Sequence, residues 1–256
     1  MNYMGKYNTV VTERDIKIFE IIKRFGYLRE DLLALWLGMD WTDAKVRNNL
    51  NALASRLKQD GFIVKRKIIE GYPGYWSLGK RGATFIGGSE FRNINLATIM
   101  HTDAVSRLAI AFLLGGWCEC IKTEFEIKIE RSMHGKKNLK LPDLIVDDKM
   151  AIEVELSKKG DTRLSGIVAN YLDSYYEKIV YYTDAPIIAN RVYHFASRFG
   201  ADSSRFGFKL FKNGDILQNE DYTPVPLNRQ ELARTPEGKF MNAVEEKLRK
   251  IGAFDK

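Results

Sequence analysis

The chain has 256 residues, 45% hydrophobic and 12% aromatic, enough for one large or two modest domains with real cores, which excludes disorder as its main state. Two cysteines, Cys118 and Cys120, cannot build a disulfide framework or a four-ligand zinc site. The net charge of +7 is uneven, with 16 basic and 10 acidic residues in 1–100 against 24 and 23 in 101–256, so the front of the chain carries nearly all of the excess.

A basic front and a balanced back point to a nucleic-acid reader joined to a second module, a solubilising charge excess being the alternative. The N-terminus has no apolar signal region, and the apolar run over 108–117 falls short of the roughly 20 residues that span a bilayer. A cytoplasmic protein with no membrane segment is expected. Thr12, with Asp15 three residues on, opens a first helix carrying Ile16, Phe19 and Ile22. A second helix is expected over 29–37, stopped by Gly38. A third runs from Thr42 to Asp60, with Val46, Leu50, Leu53 and Leu57 on one face and Arg47, Asn48, Asn51, Ser55 and Arg56 on the other.

After Gly61 the period changes to that of strands over 62–69 and 75–78, joined by the turn Gly71-Tyr72-Pro73-Gly74, a β-hairpin. Three helices and a two-stranded hairpin follow the order of a winged helix-turn-helix. In that architecture the third helix enters the major groove, where Asn reads adenine and Arg reads guanine, and Lys65, Arg66 and Lys67 of the wing lie near phosphates. A protein-interaction or dimerisation module is the other use of this arrangement. The winged helix is therefore placed at 1–87, a linker at 88–99, and a second domain at 100–256, with no phosphate loop of the nucleotide-hydrolase type.

The second domain is expected to open with a helix over 101–114. Strict alternation over 119–130 predicts a strand, and the Cys-x-Cys spacing before it suits two structural thiols on one strand face. Strands over 139–146 and 149–156 flank a turn at Asp147-Asp148. A helix over 163–176, a strand over 178–183, a helix near 189–199, a strand near 207–212 and a last helix over 236–251 complete the reading.

Chemistry concentrates in the middle of this domain. Glu153 and Glu155, two apart on a strand, point to one face, and pairing across the Asp147-Asp148 turn brings Asp143 to the same face. Three crowded acids repel one another unless a divalent cation neutralises them. Solvated outer-face carboxylates are the alternative, but the apolar surroundings of Pro142-Asp143 and of the 149–156 strand argue for a central position. Tyr171, Tyr175, Tyr176, Tyr181 and Tyr182 read as core tyrosines or a DNA-linked nucleophile, and His134 and His194 as surface residues.

Pro142-Asp143, a short hairpin and then Glu153-x-Glu155 within an α-β-β-β-α-β order resemble the PD-(D/E)XK nuclease family, a restriction-endonuclease-like fold. With the winged helix in front and the His101-led helix between, the chain to about Tyr182 is similar to the replication-relaxation family, which includes the MOBC-type relaxases of mobilisable plasmids. The resemblance implies an α+β chain that holds Mg²⁺ or Mn²⁺ on Asp143 and Glu153, with Glu155 as a third ligand or a general base, and nicks double-stranded plasmid DNA at a specific transfer origin, with an accessory mobilisation protein as partner. Glu155 stands where the family usually has lysine, as in the variant motif of some restriction endonucleases; Lys158, Lys159 or Arg163 can supply the missing positive charge. His101 and Asp103, opening their helix, are further candidates for reaching the metal or its water. The rival expectation is a DNA-binding regulator of replication or transcription whose nuclease-like fold is inactive.

Overall fold

The computed structural model describes residues 10–88, 94–133, 141–157, 159–200, 202–212 and 215–225. The chain is α+β and divides into two compact units, 1–137 and 138–256. The boundary expected at 88–99 lies inside the first unit. The helix expected over 236–251 lies outside the described residues.

The first unit begins with α1 (Glu13–Phe25), opened by a capping box in which Thr12 and Asp15 each accept the other's backbone N–H. β1 (Tyr27–Arg29), a strand the sequence reading lacked, leads into α2 (Glu30–Trp36), and α3 (Ala44–Gln59) follows with Asp43 as its cap. β2 (Ile63–Arg66) and β3 (Tyr75–Leu78) form the expected antiparallel hairpin, and β1 adds to the far side of β3, giving the order β1-β3-β2. Ile18, Phe19, Ile22, Leu33, Leu50, Leu57, Phe62 and Trp76 form the core of helices and sheet, with Phe19 and Phe62 stacked at 5.5 Å. A short helix α4 (Lys80–Phe85) packs close because Gly82 lacks a Cβ, which would stand 2.1 Å from the carbonyl oxygen of Phe62.

α5 (Ile99–Leu114) follows a single 3₁₀ turn. Together they make 19 residues, long and apolar enough to cross a membrane by length and composition, a stretch the expectation of no membrane segment had not counted. Ile99, Leu108, Ala109 and Ile110 on this helix are buried in the fold.

The strand expected over 119–130 is overturned. Only β4 (Ile121–Thr123) is extended, and α6 (Glu124–Met133) replaces the rest. The physical reason is a second capping box. The Thr123 hydroxyl accepts from the Glu126 N–H at 3.3 Å, and the Glu126 carboxylate accepts from the Thr123 N–H at 2.9 Å. Lys128 then pairs with Glu124 one turn back at 2.7 Å. Cys118 and Cys120 precede the strand, the first half-buried and the second exposed, so they do not share a strand face.

In the second unit β5 (Leu144–Val146) pairs antiparallel with β6 (Met150–Glu155) across a turn in which Asp147 and Asp148 both have positive φ. α7 (Asp161–Leu172) crosses over to β7 (Lys178–Thr183), parallel to β6, and α8 (Pro186–Arg198) crosses to β8 (Phe206–Lys212), parallel to β7. β9 (Asp215–Asp221) closes the far edge antiparallel, another strand absent from the sequence reading. Two consecutive β-α-β crossovers place α7 and α8 against each other. Every residue of β6 after Met150 is buried, the signature of a central strand covered on both faces.

Candidate functional site

The β5–β6 register pairs Leu144 with Ile152 and Ile145 with Ala151, which carries Asp143 opposite Glu153. Glu155, two residues further on, shares that face, and Tyr181 of β7 lies beside Glu153 in the parallel register. The structure thus puts the three acids that the sequence singled out on one sheet face. All three are buried, Glu153 to 1% exposure and Glu155 to 3%.

Each acid has a protein partner. Asp143 Oδ2 accepts from the Val154 N–H at 2.7 Å, Glu153 accepts from the Tyr171 hydroxyl of α7, and Glu155 accepts from Lys159. Lys159 therefore occupies the role of local cation, while Arg163 is exposed on the first turn of α7 and Lys158 lies outside the described residues. Behind the lysine, Arg191 of α8 bonds Asp161 through Nε at 2.9 Å and the Lys159 carbonyl through Nη2 at 2.7 Å, fixing the loop from β6 to α7.

Sequence reasoning left Tyr171 and Tyr181 undecided between core and nucleophile. Tyr171 is a donor to Glu153. Tyr181 is fully buried, and its hydroxyl has no hydrogen-bond partner among the described residues. Burial first, and then the negative charges of Glu153, Glu155 and Asp143, push the Tyr181 phenol far above its ordinary range, so it stays protonated. Burial and Glu153 do the same to Tyr171. Neither is placed to serve as a nucleophile, and Tyr175 is exposed. Asp161 and Arg191 were missed altogether, since an ion pair 30 residues apart leaves no local pattern. His194 is half-buried rather than a plain surface residue, and burial followed by Arg198 lowers its pKa.

Among the described residues no group of three or more His, Cys, Asp or Glu side chains is arranged to hold a metal ion. Asp143, Glu153 and Glu155 are oxygen donors of the type that a hard divalent cation takes.

His101 and Asp103 belong to α5 in the first unit, whereas the three acids belong to the second. Asp103 is buried and takes bonds of 2.7 Å from both Arg29 Nη1 and the Tyr75 hydroxyl. That network joins α5 to β1 and β3, a structural use of the side chain.

Around α3 the expected DNA-contacting residues fall into two groups. Asn48 and Asn51 on the helix and Arg66 and Lys67 on the hairpin are exposed. The others are turned inward. Arg47 is half-buried and donates to the carbonyls of Trp41 and Thr42 at 3.0 and 2.6 Å. Arg56 donates to both oxygens of the fully buried Asp15 at 2.7 and 2.8 Å, and Lys65 pairs with the buried Glu30. Three of the seven thus act as ties within the unit, because buried carboxylates on α1 and α2 and bare carbonyls at the α2–α3 turn require partners.

Comparison with protein-family models, with curated proteins and with solved structures finds no match to this chain.

Proposed function

We propose that the chain is a metal-dependent DNA endonuclease, a plasmid mobilisation relaxase that nicks double-stranded DNA at a transfer origin. Its second unit serves as a PD-(D/E)XK-type nuclease and its first as a winged-helix reader. The observation that carries the reading is the convergence of Asp143, Glu153 and Glu155 on one buried sheet face with Lys159 beside them. The succession β5-β6-α7-β7 supports the nuclease-type core, and α1, α2, α3 and the β2–β3 hairpin support the reader.

Asp143, Glu153 and Glu155 would hold Mg²⁺ or Mn²⁺, which when bound supplies Lewis-acid polarisation of a phosphodiester and a more acidic water. The chain's own residues prepare that site. Tyr171 fixes the rotamer of Glu153, and the Val154 N–H fixes Asp143. Lys159 offsets the charge of Glu155 and is the side chain available to stabilise negative charge developing on phosphate oxygens. Asn48, Asn51, Arg66 and Lys67 would face the duplex, the helix residues toward base edges and the hairpin residues toward phosphates.

The test is conversion of supercoiled plasmid carrying the cognate origin to open circles by the full chain in Mg²⁺ or Mn²⁺, with an accessory mobilisation protein supplied in a parallel reaction. Nicking that is abolished by Asp143→Asn and Glu153→Gln is expected. Specific binding without nicking in either reaction would overturn the enzymatic reading in favour of a DNA-binding regulator. The engagement of Glu155 by Lys159, where the family has a lysine at residue 155 itself, is the observation that favours this second reading.

A further inference from the structure

Arg191, on α8, is buried, and its donors converge on one short stretch of chain. Nε donates to Asp161 at 2.9 Å, and Nη2 donates both to that carboxylate and, at 2.7 Å, to the Lys159 carbonyl oxygen. Asp161 is itself buried and is the first residue of α7, so one side chain grips the end of the β6–α7 loop and the start of the next helix. The planar fork of a guanidinium suits two such acceptors at once. An ion pair with Asp161 would hold α7 to α8 without any bond to Lys159; the bond to the carbonyl is the part that bears on the acid cluster.

That bond fixes the backbone of the residue whose side chain meets Glu155. Lys159 Nζ pairs with Glu155, and the Ser157 hydroxyl lies 3.3 Å from the same carboxylate, so the loop folds back on the strand it leaves. An ammonium carried on four rotatable carbons is placed no better than the backbone beneath it, and holding it in one geometry costs rotamer entropy. The Lys159 side chain is 17% exposed, against 68% for Lys149 in the turn before β6. We infer that Arg191 is a positioning residue: by holding the Lys159 carbonyl it keeps the Lys159 ammonium beside Glu155, and it acts on strand cleavage through Lys159 alone. This rests on the reading of the second unit as a nuclease.

Two measurements on the full chain test it. The first is acetylation by a succinimidyl ester without metal, read lysine by lysine by mass spectrometry. Lys159 is expected to react more slowly than Lys149 in the wild type. Arg191→Met is expected to speed Lys159 several-fold and leave Lys149 unchanged. The second is a double-mutant cycle on plasmid nicking in Mn²⁺. Lys159→Met is expected to slow nicking about a hundredfold and Arg191→Met about tenfold, with the combination no slower than Lys159→Met alone. Because Arg191→Met strands a buried carboxylate, both measurements are repeated with Asp161→Asn added, which removes both charges of the pair. Equal acetylation of Lys159 in the wild type and a folded Arg191 variant would overturn the inference. So would Lys159 as reactive as Lys149 in the wild type, unchanged nicking by Arg191→Met, or losses that multiply in the combination. Failure of the wild type to nick would overturn the nuclease reading instead, and acetylation would still decide whether Arg191 holds Lys159 in place.

Discussion

Asp15 shows how a single carboxylate can cap a helix and tie down a neighbour at once. Burial pushes its carboxyl up, but Arg56 and the Thr12 N–H more than offset that, so its pKa lies below the ordinary value. A group depressed in the folded state contributes stability at pH values above the ordinary carboxylate range, and that stability is lost as pH falls through the lowered pKa. Arg56→Ala should therefore cost about 2 kcal/mol in urea unfolding at neutral pH, since a buried carboxylate loses both hydrogen bonds from the Arg56 Nη2 group. The deficit should shrink on acidification, once Asp15 is protonated in both proteins. Tyr181 makes the opposite case. Its hydroxyl is buried without a partner, so Tyr181→Phe should be neutral or stabilising by up to about 1 kcal/mol by the same measurement, the ring and its packing on Phe208 being kept. A cost larger than that would mean the hydroxyl has a partner, such as a bound cation or water.

At the level of elements, the second capping box decides between strand and helix where periodicity could not. Ile121, Thr123, Phe125, Ile127 and Ile129 alternate as a strand would, yet of the last three only Ile127 is buried. Glu126 caps the helix and also accepts from Arg24 Nε of α1 at 3.1 Å. Glu126→Ala should thus lower stability by about 1–2 kcal/mol and reduce helical circular dichroism, whereas Glu126→Gln, which keeps an acceptor, should lose less than half of that. The Thr-x-x-Glu signal was present in the sequence and was outweighed by alternation. Elements with strong end signals or long apolar runs were legible to within a few residues, as with α1, α3, β7 and α8. β1 and β9 were not, because three residues entering a helix and a polar edge strand carry no pattern that separates them from loops. The β5–β6 turn, closed by the Lys149 N–H on the Val146 carbonyl at 3.1 Å, holds two aspartates in the left-handed region. Asp148→Gly should stabilise the protein by about 0.5–1 kcal/mol in urea unfolding through relief of that conformation.

For the whole molecule, the acids of the site were legible because their spacing fixes their face once strands are assumed, and a face is all that Asp143, Glu153 and Glu155 needed in order to converge. Their partners were legible only in part: Lys159 was one of three cations the sequence offered, Tyr171 and Tyr181 were left without a settled role, and Arg191 was missed, since they reach the site from a loop, two helices and a neighbouring strand whose approach only the packed chain sets. The same burial that makes the site costly supplies its test in the intact protein. If the site holds a divalent cation as proposed, a ligand that occupies the folded site alone must raise the stability of the chain. At about a hundred times its dissociation constant, Mn²⁺ should add about 2.7 kcal/mol, read as an increase in Tm that grows with the logarithm of concentration. Asp143→Asn and Glu153→Gln should abolish that increase, and excess chelator should return the wild type to its metal-free Tm. Equal shifts in wild type and both variants would place the ion elsewhere on the protein, and no shift in the wild type would leave the acid cluster as a lysine-neutralised core feature with the regulator reading as its function.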